Sequence, residues 1–322
     1  MNKLLAIIGV AVLAVGNWSA AQAQDMRALA GWDATYVTVG GVIDPFLREI
    51  EGVTGSAIQR FGPETVPPFE QLEPVGSGVF DMLITNGAYH YNQSAVGMTV
   101  EALAADSTGL RSSGIWDLID QEYHKLGLKL VATLLDHGGY NILLKEPLDD
   151  KGLAGLRVRG TPVYHPLIEA LGGSPVVMAP AEIYPALERG IVDGAAWPAV
   201  GALGYRWFEV ADYMMRPTFG TGVYLVFMNL ERWNSFDADK QKAIADVAEA
   251  FEVKARGIFS EIVKAEETAL TEQGMQITHL PEQLLPTLSS AWFEGVMALA
   301  GRQNPDAVAK IEALAATAEL AP

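Results

Sequence analysis

Cysteine is absent from the sequence. Its absence removes disulfides, thiol catalysis, zinc–thiolate sites and lipid attachment at an N-terminal cysteine in one stroke. Histidine is scarce. The five are His90, His124, His137, His165 and His279, and none forms a metal-ligand pair beside a carboxylate, as H-E-x-x-H would. There is no G-x-S-x-G elbow, no phosphate-binding P-loop and no G-x-G-x-x-G opening a helix. These absences leave no catalytic constellation, and an enzyme is not expected. Basic residues are few as well: 22 Lys and Arg stand against 39 Asp and Glu, for a formal net charge of −17. Such a surface repels nucleic acid and anionic lipid at long range, so neither is an expected partner. A small anionic ligand is not excluded, because one buried arginine dominates its own pocket at short distance.

What is present points to a large folded chain. Half of the 322 residues are hydrophobic, enough for a sizeable core without disulfides, and the length predicts two domains. Met1–Ala23 reads as a secretory signal. Lys3 supplies the positive start, Leu4 to Val15 the apolar core, and Ala21-Gln22-Ala23 the small-x-small cleavage site. The apolar core is too short to span a bilayer, and no later segment reaches that length. Cleavage after Ala23 and a periplasmic location are expected. Loss of Lys3 would make the mature chain more acidic still.

Two stretches repeat one pattern. In the first, a strand ends near Gly31-Trp32-Asp33, a helix runs from Tyr36 to Val53, and a strand covers Ala57–Phe61. The Pro-rich Pro63–Leu72 turn then feeds a helix stopped at Gly76-Ser-Gly78, and the buried strand Phe80–Thr85 opens into Asn86-Gly-Ala-Tyr89. In the second, Gly155–Arg159 is a strand, a helix stops at Leu171-Gly-Gly173, Ser174–Met178 is a strand, Ala181–Arg189 is a helix, and a last strand ends at Trp197-Pro198. Strand–helix alternation of this kind favours parallel sheets. Ligands in such sheets sit beyond the carboxyl ends of the strands, where Arg159 and Trp197 stand. Between the two lie a helix over 114–126 and two strands, Leu128–Leu134 and Tyr140–Leu144, able to cross between domains. Gly220 to Asn229 is a further strand. From Asp237 one helix is predicted to about Gln273, capped by Asp237, stopped by Gly274 and free of proline. The terminus from Pro281 is mostly helical.

The order of these pieces resembles the substrate-binding proteins of tripartite ATP-independent periplasmic (TRAP) transporters, the DctP family. The likeness rests on GLRVR at 155–159, PVY at 162–164, EALGGSP at 169–175, AEIYPALERGIVDG at 181–194 and Trp197-Pro198. A Pro-Phe-Glu helix start at 68–70 and the Asp81-Met82 strand add to it. The resemblance implies an α/β, two-lobed periplasmic-binding-protein fold with hinge-crossing strands and a long helix spanning both lobes. The expected division is 1–23 as signal peptide, 24–147 with about 231–270 as the first lobe, and 148–230 with about 271–322 as the second.

The same resemblance implies a site. The family holds its ligand's carboxylate with an arginine on the strand of Arg159, and a guanidinium offers the matching fork of donors. Counting back from Leu171-Gly172 selects Arg157 instead, and the two are left as alternatives with Arg159 preferred. Trp197 stands where keto-acid-binding relatives carry Glu-Trp, their glutamate helping to hold a metal ion. Here the preceding residue is Ala196, so neither metal nor cofactor is expected. Asn86 and Tyr89 match positions of polar ligand contacts, with turn formation and packing as the alternative. Trp32 and Tyr36 fall where the family lines its cleft, and Tyr140 projects toward the same space. Ordinary core packing is the competing reading for Trp197 and for these three.

Taken together, the expectation is a monomeric periplasmic receptor that closes on a small organic carboxylate, a keto acid or an aromatic acid, and delivers it to TRAP membrane subunits. The alternative from another class is a periplasmic hydrolase or isomerase acting on a carboxylate.

Overall fold

The computed structural model describes residues 25–321; the signal peptide expected over Met1–Ala23 lies outside the described residues. Two mixed sheets organise the chain. The first has the order β2-β1-β3-β10-β4, built from β1 (Met26–Ala30), β2 (Ile58–Phe61), β3 (Met82–Thr85), β4 (Leu128–Asp136) and β10 (Gly222–Asn229). The second has the order β11-β9-β5-β8-β6-β7. It comprises β5 (Tyr140–Leu144), β6 (Arg157–Arg159), β7 (Ser174–Val176), β8 (Gly194–Pro198), β9 (Tyr213–Arg216) and β11 (Gln276–His279).

Each predicted strand–helix repeat forms the parallel part of one sheet. β1 pairs in parallel with β2 and β3, and β6 with β7 and β8. The strands that enter from the other lobe run antiparallel: β10 against β3 and β4, β5 against β8 and β9. Helices between parallel strands cover the sheet faces and bury both, which is why strands such as Met82–Thr85 and Tyr140–Leu144 are mostly apolar with every residue buried.

The two sheets form two lobes joined at a double crossing. β4 leads through His137-Gly138-Gly139 into β5, and β9 leads through Pro217 to Thr221 into β10. The crossings are bonded to each other: Tyr140 N donates to Phe219 O at 2.8 Å, and Phe219 N returns to Tyr140 O at 3.0 Å. Gly139, at φ +70°, lies so close that a Cβ would fall 2.7 Å from Gly220 O, so only glycine fits there.

These crossings correct the expected boundaries. β5 lies in the second sheet, whereas the sequence reading places 140–147 in the first lobe. β10 lies in the first sheet, whereas 222–230 is placed in the second lobe. The helix Pro305–Thr317 packs on the helix Ile115–His124 of the first lobe, again opposite to expectation. Each error has one cause. Hydrogen-bonding partners here are remote in sequence, and a strand's composition does not name its neighbour.

The long helix is Ala238–Glu272, 35 residues, with the Asp237 side chain accepting from Lys240 N at 2.8 Å. At 1.5 Å per residue it spans about 50 Å. Ile244, Ala248, Phe251, Ala255 and Phe259 recur at helical spacing and are buried. The helix carries one buried carboxylate for each lobe. Glu252 accepts from Arg111 and from Thr133 N of β4, while Glu266 accepts from Gly201 N and Leu203 N beyond β8. The predicted helix from Tyr36 is helical from Val37 but passes through a π-helical turn, Val39–Ile43, before the α-helix Asp44–Thr54. Pro45 has no N–H to continue the regular ladder back to Gly41. Among the described residues no helix is long and apolar enough to cross a membrane.

Candidate functional site

β6 sets its two arginines to different tasks. Arg157, at the outer start of the strand, is exposed and tied to the surface: its side chain donates to both oxygens of Asp193 and to Gly190 O. Arg159, at the carboxyl end, is fully buried. Its Nε and Nη2 donate to Met178 O at 3.1 and 2.9 Å, and its Nη1 to Ala196 O at 3.1 Å. The guanidinium carbon stands 5.2 Å from the Trp197 ring centroid. Tyr89 of the first lobe reaches it with its phenol. All of these partners are neutral. Among the described residues no ion pair includes Arg159, and burial lowers its pKa. A cation is therefore held out of water with no anion in hydrogen-bond contact, Glu182 acting on it only through its field.

The walls around Arg159 are aromatic and come from both lobes. Trp32 lies 5.6 Å from Tyr36 and 5.6 Å from Tyr89, centroid to centroid. Tyr36 meets Trp197 edge-on at 5.8 Å and hydrogen bonds through its hydroxyl to Tyr224. Trp197 donates its indole N–H to Val200 O at 3.0 Å and is 2% exposed. The loop beyond it is pressed onto the first lobe. A Cβ on Gly201, at φ +105°, would lie 2.2 Å from the Tyr36 ring. The lobes are thus in contact across the cleft, with Trp32, Tyr36, Tyr89, Trp197 and Arg159 in one cluster.

The remaining candidates gather at the hinge end. Tyr140, first residue of β5, donates from its hydroxyl to Glu101 Oε2 at 2.8 Å. Glu101 is fully buried in the 3₁₀ segment Val96–Ala102, and burial pushes its carboxyl up to about 8 against the opposing help of Tyr140 and Asn86. Its Oε1 has no hydrogen-bond partner. Asn86 is engaged in its own turn: Oδ1 accepts from Ala88 N at 2.9 Å and Nδ2 donates to Val223 O at 3.2 Å. Tyr89 and Tyr164 feel the fields of both Arg159 and Glu101.

Glu101 and Tyr164 were missed in the sequence. The available signal for Glu101 was a single acid inside the apolar run Val96–Ala105. At Ala196 the chain contributes only a carbonyl, and among the described residues no three His, Cys, Asp or Glu side chains converge as a metal site.

Comparison with known proteins fits this architecture. A family profile, DctP, described as bacterial extracellular solute-binding protein, family 7, matches residues 70–294. A solute-binding protein of Sulfitobacter sp. is 27% identical over 143 residues, 44% of this chain and 43% of that protein, so the chain spans less than half of that relative in the match. The C4-dicarboxylate-binding periplasmic protein DctP of Rhodobacter capsulatus is 26% identical over 288 residues, 84% of this chain and 77% of that protein. Among solved structures, a TRAP periplasmic solute-binding protein of Desulfovibrio salexigens with bound orotic acid superposes with a TM-score of 0.79. It is 18% identical, with 92% of this chain and 99% of that chain covered. One of Roseobacter denitrificans with bound L-galactonate gives 0.73 at 20% identity, covering 86% and 94%. An extracytoplasmic solute receptor of Bordetella pertussis binding pyroglutamic acid gives 0.74 at 17% identity, covering 88% and 99%.

Proposed function

The chain belongs to family 7 of the bacterial extracellular solute-binding proteins, and from that premise we propose that it captures a small organic carboxylate between its lobes and delivers it to TRAP membrane subunits. The observation that carries this reading is Arg159, a fully buried guanidinium hydrogen bonded only to neutral groups. Burying a cation costs several kcal/mol, and an anion that arrives with matching geometry repays it. The carboxylate is the partner this site lacks. Trp32, Tyr36, Tyr89 and Trp197 then enclose the body of the ligand, which favours a keto acid or a ring-bearing acid. Orotic acid, L-galactonate and pyroglutamic acid, the ligands of the structural neighbours, are all small organic acids. The receptor acts as a monomer in the periplasm, and its product is delivery, not a chemical change.

A thermal-shift screen of carboxylic acids tests the reading, since a ligand that binds only the folded state raises the midpoint. A hit confirmed by calorimetry and lost in Arg159→Ala supports it. Turnover of the acid by the purified protein, or binding indifferent to Arg159, overturns it.

A further inference from the structure

We propose that Glu266 is a positioning residue for ligand capture: from the long helix it sets the shape of the 199–207 loop, which seats Trp197 beside Arg159 and Gly201 on Tyr36, and so governs how long the closed receptor retains an acid. The inference rests on the carboxylate-receptor reading above and deepens it.

The long helix passes from one lobe to the other within about a turn and a half, and Glu266 sits in that stretch. A Cβ on Gly41, in the π-helical turn of the first lobe, would lie 2.9 Å from Ile262 Cδ1, and one on Gly138 of the hinge 2.6 Å from Val263 Cγ2. Four residues after Val263, Glu267 pairs at 3.2 Å with Arg216, the last residue of β9 in the second sheet. Between them the Glu266 side chain is buried, and its Oε1 accepts from Gly201 N at 2.9 Å and from Leu203 N at 2.7 Å. Burial raises the Glu266 pKa and these two bonds oppose the rise, with no cation contributing.

The loop has its own bonds at its start and in its second half. Ala199 N donates to Gly139 O of the hinge at 2.8 Å, while Tyr205 N donates to Gly201 O and Trp207 N to Ala202 O. Gly201 N and Leu203 N stand outside that pattern and go to the carboxylate. Buried backbone N–H groups are almost always paired, so without Glu266 the loop would have to turn to find other acceptors. Its shape matters at three points. Val200 O takes the Trp197 indole N–H at 3.0 Å, Tyr205 meets Tyr36, and a Cβ on Gly204 would fall 2.4 Å from Thr35 O of the first lobe. One side chain therefore fixes both the tryptophan beside Arg159 and the surface that meets the opposite lobe. Both bonds fall on a single oxygen, so the task is hydrogen-bond acceptance, not charge.

Hydrogen exchange, read residue by residue, and stopped-flow binding test this on the full mature chain. In the ligand-free wild type the amides of Gly201 and Leu203 should be protected. Glu266→Leu should speed exchange across 199–207 at least roughly tenfold, the loss expected for two backbone bonds, while β10 exchanges as before. Glu266→Gln keeps an acceptor oxygen in place and should restore protection. Binding is followed by tryptophan emission with the acids that raise the midpoint in the screen above, orotate, L-galactonate and pyroglutamate among them. Release from Glu266→Leu should be roughly tenfold to a hundredfold faster, with association within about twofold of wild type, and Glu266→Gln should return the slow release. Unprotected Gly201 and Leu203 amides in the wild type overturn the inference even where a variant fails to fold. Exchange or release unchanged in Glu266→Leu overturns it too, as does Glu266→Gln behaving like Glu266→Leu. An acid whose binding depends on Arg159 but whose release ignores Glu266 refutes this inference alone. Wild-type protein that binds no acid in the screen, or binding indifferent to Arg159→Ala, counts against the receptor reading and takes this inference with it.

Discussion

Tyr36 of the first lobe lies stacked on Tyr205 of the second, ring centroids 6.0 Å apart and planes 11° from parallel. This contact spans the cleft, and Gly201 is what allows it. The glycine's φ of +105° and the 2.2 Å gap between its virtual Cβ and Tyr36 leave no space for a side chain. Gly201→Ala should therefore obstruct closure. Overpacking of this kind costs about 1–3 kcal/mol, so ligand affinity should fall roughly tenfold to a hundredfold. Small-angle scattering should show wild-type protein contracting with ligand and the variant remaining extended. Equal contraction in both would show that the contact does not govern closure.

Arg159 and Arg157 should behave differently. Arg159→Ala removes the counter-charge of a buried carboxylate, a loss of about 2–5 kcal/mol, or roughly 30-fold to several-thousand-fold in affinity. Arg159→Lys should recover only part, because an ammonium lacks the planar fork. Arg157, bonded to Asp193 on the surface, should tolerate alanine with little change in binding. Titration of all three, with circular dichroism to confirm folding, checks this. Loss of binding in Arg157→Ala alone would move the clamp.

Binding should require no cation, since Ala196 offers a carbonyl already engaged by Arg159. Affinity measured after exhaustive chelation should equal that of untreated protein. A loss restored by added calcium or sodium would refute it.

Stability should fall as pH rises from about 4 toward 8. Burial holds the Glu101 carboxyl up at about 8 and that of Asp136 at about 7, whereas in the unfolded chain both titrate near 4. Between those values the folded state binds more protons than the unfolded state, so unfolding free energy decreases with pH and levels off above about 8. His90 works in the opposite sense between about 3 and its ordinary value of about 6.5, its buried ring lowered to about 3, and so offsets part of the decline below about 6.5. Glu101→Gln and Asp136→Asn should each flatten the decline, read as melting temperature against pH. A wild-type midpoint that climbs from pH 5 to 8 would contradict the assignment.

The sequence by itself determined the elements and their order. Asp237, Gly274 and an unbroken run without proline specify the long helix, because capping and backbone allowance act within a few residues. The paired strand–helix repeats predicted the parallel part of each sheet for the same local reason, and not the antiparallel strands that complete it. The motif around 155–198 pointed to the family before any packing was known. Tertiary structure decided the rest. It separated Arg159 from Arg157 by placing Asp193, 36 residues away in sequence, beside one and not the other. It moved β5 and β10 to their sheets through partners such as Phe219 that lie far along the chain. Glu101 gained its partners only when Tyr140, Thr221 and Trp292 converged on it. Local preference is short-ranged and written in neighbouring residues; burial, charge balance and the crossing point of two lobes are properties of contacts that the folded chain alone creates.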